Sequence, residues 1–110
     1  MSKVSRNKLD SKIYSAIIKQ LTASVINLKK DSEVAGLFDS LFTKTEILML
    51  AKRLAIAMLL ERGITYPKIS SALKVSSVTI SFVRNSIMKD NENYSRLIKL
   101  LNESVLSIKI

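Results

Sequence analysis

Between Ile47 and Leu60 the chain reads ILMLAKRLAIAMLL, with Lys52 and Arg53 as its only polar residues. A helix apolar nearly all round has to be covered on every side. This one is too short, and too charged at its middle, to span a bilayer, which takes about 20 apolar residues. It is therefore expected to be the core helix of a globular protein, with no membrane as partner. Its ends are marked. Thr43-Lys44-Thr45-Glu46 has the form of a capping box, in which the threonine hydroxyl accepts from the glutamate amide and the carboxylate reaches back to the threonine amide. Gly63 supplies the left-handed stop. A chain of 110 residues that is 47% apolar has trouble hiding such a helix alone, which points to an interlocked homodimer.

Directly after the core helix the sequence takes the form of a helix-turn-helix, over about residues 66–89. A short helix is expected from Tyr66 to Leu73, introduced by Thr65 as cap and Pro67 in the first turn. A break follows at Lys74-Val75-Ser76, and a second helix starts near Ser77. Ile69, Leu73, Val75, Ile80, Val83 and Ile87 fall where two crossing helices share a small core. The outer face of the second helix then holds Ser77, Val78, Ser81, Phe82 and Arg84, where a recognition helix meets base edges in a major groove. From Ile64 through Lys89 there is no Asp or Glu, while Lys68, Lys74, Arg84 and Lys89 add positive charge. Such a face is either a solvated basic surface or a set of phosphate contacts, and the missing acids favour the phosphates. The hydroxyls of Ser77 and Ser81 and the methyls of Val78 are candidates to read bases. Tyr66 either bonds a phosphate or closes the core. Lys74 stands at a turn position where glycine is common, so a positive φ there would cost about 1 kcal/mol.

The flanking segments are also helical in pattern. Leu9 to Lys30 is amphipathic through Leu9, Ile13, Ala16, Ile17, Leu21, Val25 and Leu28, with Lys29 and Lys30 expected in the last turn. Asp31 is expected to cap a shorter helix through Val34, Leu37, Phe38 and Leu41, weakened by Gly36. Asp90-Asn91-Glu92-Asn93 opens a terminal helix striped by Tyr94, Leu97, Ile98, Leu101, Val105 and Ile108. Residues 1–8 (MSKVSRNK) read as a disordered basic arm before a single helical domain over 9–110. The class expected is all-α, with about six helices.

Composition narrows function. There is no Cys and no His, which removes thiolate metal sites, disulfides and the commonest general base, and the acids are scattered singly. No metal and no enzyme are expected. A net charge of +9, from 18 basic and 9 acidic residues, suits double-stranded DNA. No apolar segment follows the basic start, so a cytoplasmic protein is expected.

The stretch from Leu41 to Lys89 resembles the Trp repressor family. The resemblance is carried by Phe42-Thr43 with Glu46 three residues on, by Arg53 inside the core helix, by Leu59 to Gly63, and by Ser76, Thr79, Ile80 and Ser81 in the reading helix. It implies an all-helical, intertwined homodimer that represses transcription by placing two helix-turn-helix units in successive major grooves of a two-fold symmetric operator. It also implies a corepressor pocket at Thr43, Arg53, Thr79 and Ser86. Here the family's second pocket arginine is replaced by Phe82, and the loop before the motif is one residue shorter. Losing that guanidinium removes a cation–π partner and a carboxylate donor, each worth about 0.5–2 kcal/mol. That argues against L-tryptophan as the effector and leaves room for another small molecule, or for none with Phe82 filling the space. Arg53 either serves such a pocket or snorkels and pairs with Glu46 or Asp39. The alternative to a repressor is a protein-association or architectural nucleic-acid-binding module without sequence specificity.

Overall fold

The computed structural model describes residues 8–103, and the basic arm up to Asn7 and the positions of Val105 and Ile108 lie outside the described residues. Six helices follow one another: α1 (Ser11–Ile26), α2 (Asp31–Leu41), α3 (Lys44–Glu61), α4 (Tyr66–Leu73), α5 (Ser77–Met88) and α6 (Asn91–Glu103). The described residues contain no strand, so the chain is all-α. It falls into two compact units, residues 1–48 and 49–110.

In the first unit α1 is capped by Asp10, whose carboxylate accepts from the Lys12 amide at 2.8 Å. The helix stops at Ile26, so Lys29 and Lys30 are not in its last turn as expected. Glu33 is the reason: its Oε1 accepts from the amides of Lys29 at 2.9 Å and Lys30 at 3.1 Å. That bonding starts α2 with Lys30, rather than Asp31, in the N-cap position. Asp31 and Glu33 both fall in the first turn, where carboxylates favour the helix dipole. Neither α1 nor α2 has a buried residue in the chain alone.

The capping box at the start of α3 is present in both directions. Glu46 N donates to Thr43 Oγ1 at 3.1 Å, and Thr43 N donates to Glu46 Oε1 at 2.8 Å. The bonds from Thr43, first its amide and then its hydroxyl, hold the Glu46 carboxyl below the usual glutamate range. A lowered folded value means that this contribution is present above the unfolded value and is lost as pH falls through the folded one.

The second unit has the core. Ile56, Met58 and Leu59 of α3 meet Ile69 of α4, Ile80 and Val83 of α5 and Leu101 of α6, with Leu60, Ile64, Tyr66, Leu73, Val75, Ile87, Leu97 and Ile98 packed around them. Every apolar residue assigned to the helix-turn-helix from spacing is in this list. At its end α3 closes with a Schellman arrangement: Ile64 N donates to Leu59 O and Gly63 N to Leu60 O, both at 3.0 Å, with Gly63 at φ 79°. The expectation that α3 is covered on every side holds in the chain alone only for residues Ala55 to Leu59. Leu48, Met49, Leu50 and Leu54 remain exposed.

Candidate nucleic-acid interface

The helix-turn-helix is held by local devices at the start of α4, in the turn and at the start of α5. Thr65 takes the N-cap backbone conformation of α4, but its side chain makes no cap hydrogen bond. Lys74 ends α4 in the left-handed region, at φ 56° and ψ 52°, with its amide returning to Ser70 O. Ser70 Oγ donates to Val75 O at 2.5 Å, which ties the turn to α4 from the other side. Ser76 then caps α5: its Oγ accepts from Thr79 N at 3.1 Å and lies 3.0 Å from Thr79 Oγ1.

A lysine held at positive φ is strained by about 1–2 kcal/mol. Lys74→Gly is therefore expected to stabilise the second unit by up to about 1 kcal/mol in urea unfolding. If Lys74 contacts phosphate, the same change weakens binding to all duplexes alike. A gain in stability without loss of affinity would leave the lysine with no role at the interface.

Ile80 and Val83 bury one side of α5, and Ile87 continues it. The opposite side holds Val78, Phe82, Asn85 and Lys89, spaced four, three and four residues apart, which is one stripe along a helix. Val78 is 76% exposed and Phe82 is 61% exposed. Ser77 is exposed beside this stripe and Ser81 is half-buried. Lys68 on α4, Lys74 in the turn, and Arg84 and Lys89 at the far end of α5 are all exposed. Tyr66 is half-buried and packs against the core. Asn85 was not singled out in the sequence. Its only signal is its spacing from Val78 and Phe82.

The far end of α5 meets α6. Tyr94 donates its phenol to the Glu61 carboxylate at the end of α3. That bond, then partial burial and the Glu61 charge, hold the phenol above its usual range, with the Arg84 charge acting the other way. Arg84 also lines a small cavity with Ala57, Leu60, Ile87, Met88 and Tyr94. Spacing alone could not reveal this clasp, because Glu61 and Tyr94 lie far apart in the chain.

The residues assigned by resemblance to a ligand pocket are distributed over both units. Thr43 is in the first, occupied by its capping box. Arg53 is exposed on α3, Thr79 is bonded to Ser76, and Phe82 lies on the outer stripe. Ser86 opens on a cleft of about 530 Å³ whose other walls are Ile87, Lys89, Asp90, Asn93, Tyr94 and Leu97, a set that includes none of the other four. Among the described residues no group of three or more acids, His or Cys is placed to hold a metal ion, and no helix is long and apolar enough to cross a membrane.

Comparison with known proteins agrees with this architecture. The uncharacterized protein YerC of Bacillus subtilis (strain 168) is 36% identical over 87 residues, which cover 79% of this chain and 84% of that protein. The crystal structure of a TrpR-like protein from Eubacterium eligens ATCC 27750 is similar with a TM-score of 0.75 at 29% identity, covering 88% of this chain and all of that one. A candidate Trp repressor from Staphylococcus aureus gives 0.73 at 28% identity, covering 91% of this chain and all of that one. Residues 16–102 match the family described as Trp repressor protein, and the chain belongs to that family.

Proposed function

We propose that this protein is a sequence-specific, DNA-binding transcriptional repressor that acts as a homodimer on a two-fold symmetric operator, with residues 9–110 as its DNA-binding domain. The observation that carries the proposal is the exposed face of α4, the turn and α5. It holds Lys68, Lys74, Arg84 and Lys89 without one acid from Ile64 to Lys89, on a helix-turn-helix with a closed core. Family membership supports a regulator rather than an enzyme. The cations position the protein on the phosphates, while Ser77, Val78 and Ser81 reach base edges from the first turns of α5. Ser76 and Thr79 bond each other, so they fix the entry of α5 and act at the interface through that placement. Two reading helices related by a two-fold axis match half-sites about 34–36 Å apart.

Selection of random duplexes against the purified protein tests this directly. Enrichment of a two-fold symmetric sequence is the expected result. Four cations per motif, eight per dimer, give an affinity that falls with log salt at a slope approaching about −7. Recovery of no preferred sequence would leave the architectural reading in its place. L-tryptophan is expected to leave the affinity unchanged, since Phe82 stands where the indole's second guanidinium partner would be, and it is largely in solvent. A tryptophan-dependent site would overturn that part of the proposal.

A further inference from the structure

The most exposed large apolar residue of the described chain is Val78, and one turn along the same side of α5 comes Phe82. Single exposed apolar side chains need no explanation. Two in register are different when they stand directly opposite the buried face of a helix and are flanked by hydroxyls and cations. Around them lie Ser77, Ser81, Ser86, Lys74 and Lys89, with no acid in the whole motif. The charge excludes a basic partner and matches a polyanion, so the occupant must offer apolar groups beneath a screen of negative charge. In a DNA major groove the apolar group presented at the base edges is the thymine 5-methyl. Asn85, next along the stripe, has the amide that pairs in bidentate fashion with adenine N7 and N6, the other partner of the same base pair.

We infer that Val78 and Phe82 form an apolar comb that reads thymine methyls, so that this protein selects half-sites rich in A·T pairs. The inference rests on the DNA-binding function proposed above and assigns its specificity. It gives Phe82 a place at the base edges instead of in a ligand pocket.

The test uses duplexes enriched by selection and the same duplexes with deoxyuridine in place of thymine, which removes the methyl and nothing else. Each methyl contacted by Val78 or Phe82 should lower the affinity of the unaltered protein about fourfold when it is removed. Phe82→Ala and Val78→Ala should weaken binding to thymine duplexes by a similar factor and should cease to distinguish uracil from thymine at their own positions. Thermal melting checks that both variants keep their fold. Equal binding of thymine and uracil duplexes overturns the inference while leaving DNA binding intact. So does a Phe82→Ala variant that binds thymine duplexes as tightly as the parent, or one that dissociates the dimer, because the ring would then belong to a subunit interface. A protein that holds no duplex at all overturns both this inference and the function on which it rests.

Discussion

Ile69→Ala is expected to destabilise the second unit by about 2–5 kcal/mol, the cost of emptying a fully buried aliphatic site. Ile69 is 0% exposed and sits in the cluster where α3, α4, α5 and α6 meet. It is the single buried residue of α4, a helix of eight residues. A helix that short is not stable by propensity, so its position depends on that contact. Domains of this size have only about 5–15 kcal/mol in total, so the loss takes a large share of the margin. The melting temperature should fall by about 8 °C or more, at roughly 4–8 °C for each kcal/mol. Val78→Ala, at a site 76% exposed, should stay within about 0.5 kcal/mol of the parent and serves as control. The binding consequence also separates stability from contact. Ile69→Ala loses DNA affinity together with the fold, whereas Lys68→Ala loses affinity with the melting temperature unchanged. A fall of only a degree or two for Ile69→Ala would mean that α4 is held by something other than this core.

What could be read from the sequence and what could not follows from the range of the interactions. Signals contained within a few residues carried over directly. The Thr43–Glu46 box, the Gly63 stop and the apolar spacing of the motif are all local, and each stands in the structure as expected, while Lys74, whose position left the shape of the turn open, takes the left-handed conformation. The end of α1 was misplaced by four residues because two local signals compete there. Periodicity runs on to Lys30, but Glu33 takes the amides that a longer α1 would have kept in its last turn. Burial of α3 was legible only as a requirement. Composition says that the helix must be covered, and the single chain covers it from Ala55 to Leu59. The Tyr94–Glu61 clasp joins two elements remote in sequence and has no local signature. The pocket residues came from resemblance, and of Arg53, Thr79, Phe82 and Ser86 the cleft of about 530 Å³ is lined by Ser86.

The second large effect is expected at Ile17. Ile13, Ile17 and Leu21 lie along one side of α1 and are each about half exposed, and Val34, Phe38 and Leu41 of α2 are exposed as well. An isolated helix of 16 residues is marginal in water, so a helix with no buried residue needs a partner surface to persist. In the proposed homodimer that surface is a second copy of the chain. Ile17→Asp puts a charge at its middle, and an unpaired charge taken out of water costs several kcal/mol. Sedimentation velocity should then show a dimer for the parent and a monomer for the variant at the same micromolar concentration, with circular dichroism showing the loss of helix from α1. The second unit keeps its own core, so affinity for a duplex with one half-site should be unchanged. Affinity for the two-fold site should drop by about 10²–10⁴, because the second half-site no longer binds at the effective concentration that linkage provides. A parent that sediments as a monomer, or an Ile17→Asp variant that remains dimeric and binds the two-fold site in full, would remove α1 from the interface and with it the dimer as proposed.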